Sequence, residues 1–124
     1  VIGSRLSYIN SDPERGDVVI FKFPDNRDIY YVKRVIGLPG ETVDIVDGKV
    51  YINDSDAPLD EPYLPEPMEG SYGPYTVPEG CYFMMGDNRN NSLDARFWKN
   101  QFVPKKDIMA KVLFCYYPRI GKVE

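Results

Sequence analysis

The sequence predicts an all-β domain, mainly antiparallel, with little helix. Three observations carry that reading. Short runs rich in Val, Ile, Phe and Tyr recur along the chain, Asp47-Gly48 separates two of them as a tight hairpin turn would, and no window keeps a helical period for long.

In chain order, strands are expected over Asp17 to Phe23, Tyr30 to Leu38, Thr42 to Val46, Lys49 to Ile52, Cys81 to Met85 and Ile108 to Tyr117. Asp47-Gly48 tolerates the positive φ angles of a two-residue hairpin, which makes that pair of strands antiparallel neighbours. Leu38-Pro39-Gly40-Glu41 puts Pro second and Gly third, the chemistry of a type II turn. From Asn53 to Pro74 the chain carries Pro58, Pro62, Pro65, Pro67 and Pro74 among acidic and small residues, so 53–74 reads as a long loop excursion over the surface. A short turn of helix is expected around Ser92 to Trp98.

With 124 residues, 43% of them hydrophobic, the chain fits one domain with a core of its own, and 1–124 is read as that single domain. A net charge of -4 argues against a nucleic-acid partner, whose phosphates demand clustered Lys and Arg. No apolar run approaches the roughly 20 residues that cross a bilayer, and the start is not basic-then-apolar like a signal peptide. As given the chain reads as soluble; its opening Val1-Ile2-Gly3 is what an excised or processed chain would show. Cys81 and Cys115 lack metal-like spacing and are expected to be ordinary strand residues. The absence of histidine decides more: Ser-His-Asp and Cys-His catalysis are excluded, with most zinc sites. Neither a metal nor a cofactor is expected.

Lys33 and Arg34 stand together inside the apolar run Tyr31-Val32-Lys33-Arg34-Val35-Ile36, and alternation sends them to opposite faces. One of them must then be paired, snorkelling or held in a partly dry site. On residue types alone this is either an edge-strand charge or buried ion pair, or a desolvated lysine that serves as a base. The second role requires the neutral amine, which burial favours. The other concentration of polarity, Gly86-Asp87-Asn88-Arg89-Asn90-Asn91-Ser92-Leu93-Asp94-Ala95-Arg96, comes directly after the Cys81 to Met85 run. Taken alone, it reads as a self-capped connection.

Together these segments resemble type I signal peptidases, the bacterial leader peptidase family of Ser/Lys proteases. Gly16-Asp17-Val18-Val19-Ile20-Phe21-Lys22 with Pro24, then Tyr31-Val32-Lys33-Arg34-Val35-Ile36-Gly37-Leu38-Pro39-Gly40-Glu41, then Gly86-Asp87-Asn88-Arg89 through Asn91-Ser92 to Asp94 and Arg96, look like three family boxes in order. Gly48 to Asn53 and Pro58 to Tyr63 are similar to the intervening stretch, so the resemblance covers roughly 15 to 118. It implies the coiled sheets of that family, removal of signal peptides from secretory precursors, and a catalytic domain on the extracytoplasmic side of a bacterial membrane. It also implies that Lys33 is the general base, Ser92 the hydroxyl that orients it, and Asp94 with Arg96 a supporting pair. Asp87 and Arg89 are read as structural, pinning the same loop. Ile20, Tyr31 and Val32 would line the site for an extended substrate, although core packing explains Ile20 and Val32 equally well.

The chain departs from the family pattern at one point. The nucleophilic serine of that family lies in a Ser-x-Met-x-Pro box before the Gly16 motif, beside a membrane anchor, and Ser4, Ser7 and Ser11 do not match it. These three are read as structural. The expectation is therefore a catalytic domain truncated on its N-terminal side, carrying the base without the nucleophile or anchor, and inactive alone. Two rival readings stay open on sequence grounds: a self-cleaving repressor-type Ser/Lys protease, and a non-catalytic module that binds extended peptides or assists surface assembly.

Overall fold

The structure, a computed structural model, describes residues 4–8 and 12–115, with side chains from 12 to 112. Nine strands form in chain order: β1 Ser4–Tyr8, β2 Val18–Lys22, β3 Tyr30–Gly37, β4 Thr42–Val46, β5 Lys49–Ile52, β6 Tyr72–Thr76, β7 Cys81–Met85, β8 Val103–Pro104 and β9 Ile108–Cys115. They make a six-stranded sheet in the order β1-β9-β2-β3-β7-β8 and a three-stranded sheet in the order β5-β4-β6. Every pairing is antiparallel.

Alternation builds the larger sheet's inner face. Val19 and Phe21 of β2 sit opposite Lys33 and Tyr31 of β3, so these four side chains share one face, while Ile20 opposite Val32 and Val18 opposite Arg34 share the other. One core spans both sheets: Val43, Ile45 and Val50 of the smaller sheet are buried in the same cluster as Phe21, Phe83 and Met84 of the larger. Tyr75 stacks on Phe83 at 4.7 Å between ring centroids and fastens one sheet to the other.

The register of β3 leaves part of the strand open. β7 pairs with β3 only from Arg34 onward, with Met85 opposite Arg34. From Tyr30 to Val32, β3 therefore has β2 on one side and, among the described residues, no ladder partner on the other.

Both predicted turns form. Gly40 has φ +80° and the Glu41 N–H donates to Leu38 O at 3.1 Å, as the type II turn requires. Asp47 and Gly48 have φ values of 50° and 79°, and β4 and β5 pair with Val46 opposite Lys49. Gly48 is required twice over, since a Cβ there would also lie 1.9 Å from the carbonyl oxygen of Met68.

Several expectations need correction. The Pro-rich loop ends sooner than 53–74, because Tyr72–Thr76 forms β6, with a cis bond between Gly73 and Pro74. β6 is an edge strand, where a proline removes no essential ladder bond. Nor is the segment only a surface excursion: Met68 is buried, and Leu59 and Tyr63 pack against the core. No helix forms over Ser92 to Trp98. The Asp94 carboxylate accepts the backbone N–H groups of Gly86 and Arg96, and that side-chain competition replaces a helical ladder. The helix that does form is a 3₁₀ turn over Lys105–Asp107.

The strand Asp17 to Phe23 is trimmed at both ends, Tyr30 to Leu38 starts as expected and stops at Gly37, and β1 and β8 are additional to the expected set. Cys81 is half-buried in β7, where burial pushes its thiol up from the usual range. Cys115 closes β9 as described, with its side chain and residues 116–117 outside the described part. Ser4 and Ser7 lie in β1, and Ser11 falls outside the described residues.

Arg15 fastens the type II turn to the larger sheet through a bidentate pair with Glu41, at 2.6 and 2.8 Å. Burial alone would push the Glu41 carboxyl up. The bonds from Arg15 and the Leu38 N–H outweigh it and hold the group below the ordinary 4.5. A depressed carboxyl contributes stability that is present above its unfolded value and lost as pH falls through its folded value. Urea midpoints should therefore be higher for the wild type than for Glu41→Gln at neutral pH, with the gap closing as pH falls below about 4.5; a gap that widens in acid would contradict this. At the hairpin, left-handed strain and a backbone clash each cost about 1–3 kcal/mol. Gly48→Ala should accordingly lower stability by about 2–6 kcal/mol in the same titration.

Candidate active site

Lys33 occupies the last position of β3 before β7 joins the sheet. Its neighbours on the same face are Val19 and Tyr31, and it is 6% exposed. Lys33 Nζ donates to Ser92 Oγ at 3.1 Å and stands 5.6 Å from the centroid of the Tyr31 ring. Ser92 is itself 3% exposed. The two meet because β7 ends opposite Arg34, so the polar loop after β7 turns back across the position where the next strand pair would have been.

What holds Ser92 in place is the loop's own bonding. Asp94 is fully buried and forms a bidentate pair with Arg96, at 2.8 and 2.9 Å. The same carboxylate accepts the Gly86 N–H at 3.1 Å, closing the loop across eight residues. Arg96 Nη2 also donates to Arg89 O at 2.7 Å, and the Ala95 N–H donates to Met84 O at 3.2 Å. Trp98 ties the loop to the sheet: its indole N–H donates to Leu93 O, and its ring packs against Phe21, Phe23 and Tyr31.

On the opposite face Arg34 forms a bidentate pair with Asp87, at 2.8 and 2.7 Å, and donates to Gly16 O. Both adjacent cations of the strand are therefore engaged, one to each side of the sheet. Arg89 Nε donates to Gly86 O, and its two terminal nitrogens donate to Glu61 of the Pro-rich segment.

The structure thus brings Lys33, Tyr31, Ser92, Asp94 and Arg96 together, with Asp87 and Arg89 at the base of the same loop. Ile20 and Val32 are half-buried, pair with each other and lie on the face opposite Lys33. Sequence reasoning missed Glu61 and Trp98. Glu61 sits in a Pro-rich stretch whose composition indicates only loop, and its partner lies 28 residues away. Among the described residues no group of three or more His, Cys, Asp and Glu could hold a metal. An open concavity of about 450 Å³ lies between the β4–β5 hairpin and Leu59, Leu64 and Met68, and it includes neither Lys33 nor Ser92.

Chemically, the site offers an amine in a largely dry pocket, hydrogen-bonded to a fixed hydroxyl at the point where the β3–β7 ladder stops. Comparison with known proteins places the chain in a family. The family model described as signal peptidase, peptidase S26, matches residues 1–117. The probable signal peptidase I-2 of Synechocystis sp. is 41% identical over 128 residues, covering 98% of this chain and 57% of that protein. The signal peptidase I of Bacillus licheniformis is 41% identical over 115 residues, covering 85% of this chain and 60% of the relative. The chain thus spans less than two thirds of the length of these relatives. The crystal structure of a signal peptidase I from Enterococcus faecalis superposes with a TM-score of 0.69 at 35% identity, covering 84% of this chain and 98% of that one. With its boxes in order, its antiparallel sheets and these relatives, the chain belongs to the signal peptidase, peptidase S26, family.

Proposed function

We propose that this chain is the base-carrying part of a signal peptidase that removes signal peptides from secretory precursors, with Lys33 as the general base of a Ser/Lys dyad. The observation that carries the reading is the bond between buried Lys33 Nζ and Ser92 Oγ, 3.1 Å long, at the point of β3 where the ladder to β7 stops. Ser4, Ser7 and Ser11 do not fit the Ser-x-Met-x-Pro pattern of the resembled family, so on this reading none of the three is the nucleophile on which Lys33 acts. On this reading the working enzyme acts at the extracytoplasmic face of a bacterial membrane. No helix among the described residues is long and apolar enough to cross a membrane.

The chemistry asks for a neutral amine. It takes the proton of the serine hydroxyl as the oxygen attacks the scissile carbonyl, then returns that proton to the departing amine. Water, deprotonated by the same amine, releases the acyl group. Ser92 suits a positioning role better than a nucleophilic one, since at 3% exposure its oxygen is closed off from a substrate carbonyl. Its hydroxyl can accept from the ammonium and donate to the amine, so it can hold Lys33 through both halves of the cycle. The buried Asp94–Arg96 pair fixes the loop on which Ser92 rides.

An extended substrate would add its backbone to β3 at Tyr30–Val32, with alternate side chains reading the two faces. Tyr31 would flank it on the Lys33 face, and Ile20 with Val32 would wall it on the other. The chain as a peptide-binding module would use the same edge, and one experiment separates the two. In the full-length protein that contains this chain, cleavage of a precursor ending in Ala-x-Ala should fall at least a thousandfold in Lys33→Ala, about the contribution of a base, with precursor binding retained. Undiminished cleavage in Lys33→Ala would overturn the assignment, and wild-type protein that binds without cutting would favour the module.

A further inference from the structure

The Pro-rich segment meets the catalytic loop through one buried carboxylate. Glu61 accepts from Arg89 Nη1 at 3.1 Å and Nη2 at 2.6 Å, and the side chains of Arg89 and Glu61 are only 1% and 6% exposed. The Tyr63 hydroxyl donates to the same carboxylate at 2.7 Å, and the Tyr63 ring lies 3.9 Å from the Arg34 guanidinium carbon. Burial, then the Glu61 carboxylate, push the phenol well above its ordinary range, so the hydroxyl stays a donor. Arg89 passes the contact on: its Nε holds Gly86 O, and its own carbonyl accepts from Arg96. Beside it, Asn90 donates to Glu66 and to Pro67 O and accepts from the Glu69 N–H. Ser92 therefore stands between two clamps, the Pro-rich segment gripping residues 89 and 90 on one side and the Asp94–Arg96 pair on the other.

We propose that Glu61, seconded by Tyr63, is a positioning residue for the Lys33–Ser92 pair, acting through Arg89. The proposal rests on the reading of Lys33 as base. Without the carboxylate, Arg89 is left as a buried cation with a weakened partner and must move or admit water. Its two backbone contacts on the loop move with it, and Ser92 leaves the place where it meets Lys33. Displacements of about 1 Å in such a site cost up to roughly a hundredfold in rate. Substrate binding along β3 lies on a different element and should be spared.

The test is a double-mutant cycle on the full-length protein, with Glu61→Gln, Ser92→Ala and both, measuring kcat and KM at a temperature where circular dichroism shows every variant folded. The expected result is about a tenfold fall in kcat for Glu61→Gln with KM within about twofold, and a double variant no slower than Ser92→Ala alone. A merely structural Glu61 would lower the melting temperature while leaving kcat per folded molecule unchanged, and that result overturns the proposal. Fully additive losses, or a loss confined to KM, overturn it as well. If Ser92→Ala keeps wild-type kcat, the Lys33–Ser92 reading itself fails, and this proposal with it. Should Glu61→Gln not fold, Tyr63→Phe removes only the hydroxyl that steadies Glu61 and is read by the same criteria.

Discussion

A lysine amine inside a β-sheet is the constraint around which the rest is arranged. An ammonium moved into an apolar interior without partners costs many kcal/mol, so Lys33 must be either neutralised or given polar neighbours in fixed positions. The hydroxyl of Ser92 meets that need, and it can do so only if the loop carrying it is as well ordered as a strand. The loop reaches such order without a ladder, through charged side chains that satisfy its backbone. Asp94 closes it at Gly86, Arg96 at Arg89, and Arg89 at Gly86. Removing one member of a buried pair such as Asp94–Arg96 costs about 3–5 kcal/mol, because the other charge is then stranded. The loop that carries Ser92 is therefore held by buried charged pairs.

The second sheet and the Pro-rich segment serve the same need. After β3 the type II turn at Leu38 to Glu41 swings the chain out of the larger sheet, and Arg15 holds that turn down through Glu41. The β4–β5 hairpin then presents Gly48 so closely to Met68 that the Pro-rich segment is drawn back toward the loop after β7. What composition describes as an excursion is in space a bracket between the hairpin and residues 89 and 90.

The sequence made legible whatever is local. Asp47-Gly48 and Pro39-Gly40 specify their turns by backbone preference alone, and β4, β5 and β7 stand at the residues that alternation and β-branching indicate. β6 was hidden because Gly73 and Pro74 argue against a strand unless it lies on an edge, and edges are a property of the assembled sheet. The helical turn expected at Ser92 to Trp98 failed because Asp94 spends its carboxylate on backbone N–H groups. In the site, Lys33 stood out as a cation in an apolar run of a chain without histidine, and family resemblance singled out Ser92. Glu61 could not be read at all, since only the fold brings it to Arg89. That β7 pairs with β3 only from Arg34 onward is equally a matter of register.

The central claim is that Lys33 works as a neutral base held by Ser92, and the pH dependence of the rate addresses it most directly. A base is active when deprotonated, so kcat/KM for precursor cleavage by the full-length protein should rise with pH along a one-proton limb, and that limb should move in Ser92→Ala. A profile that stays flat across the range in which the protein remains folded, or a limb indifferent to Ser92, would contradict the account.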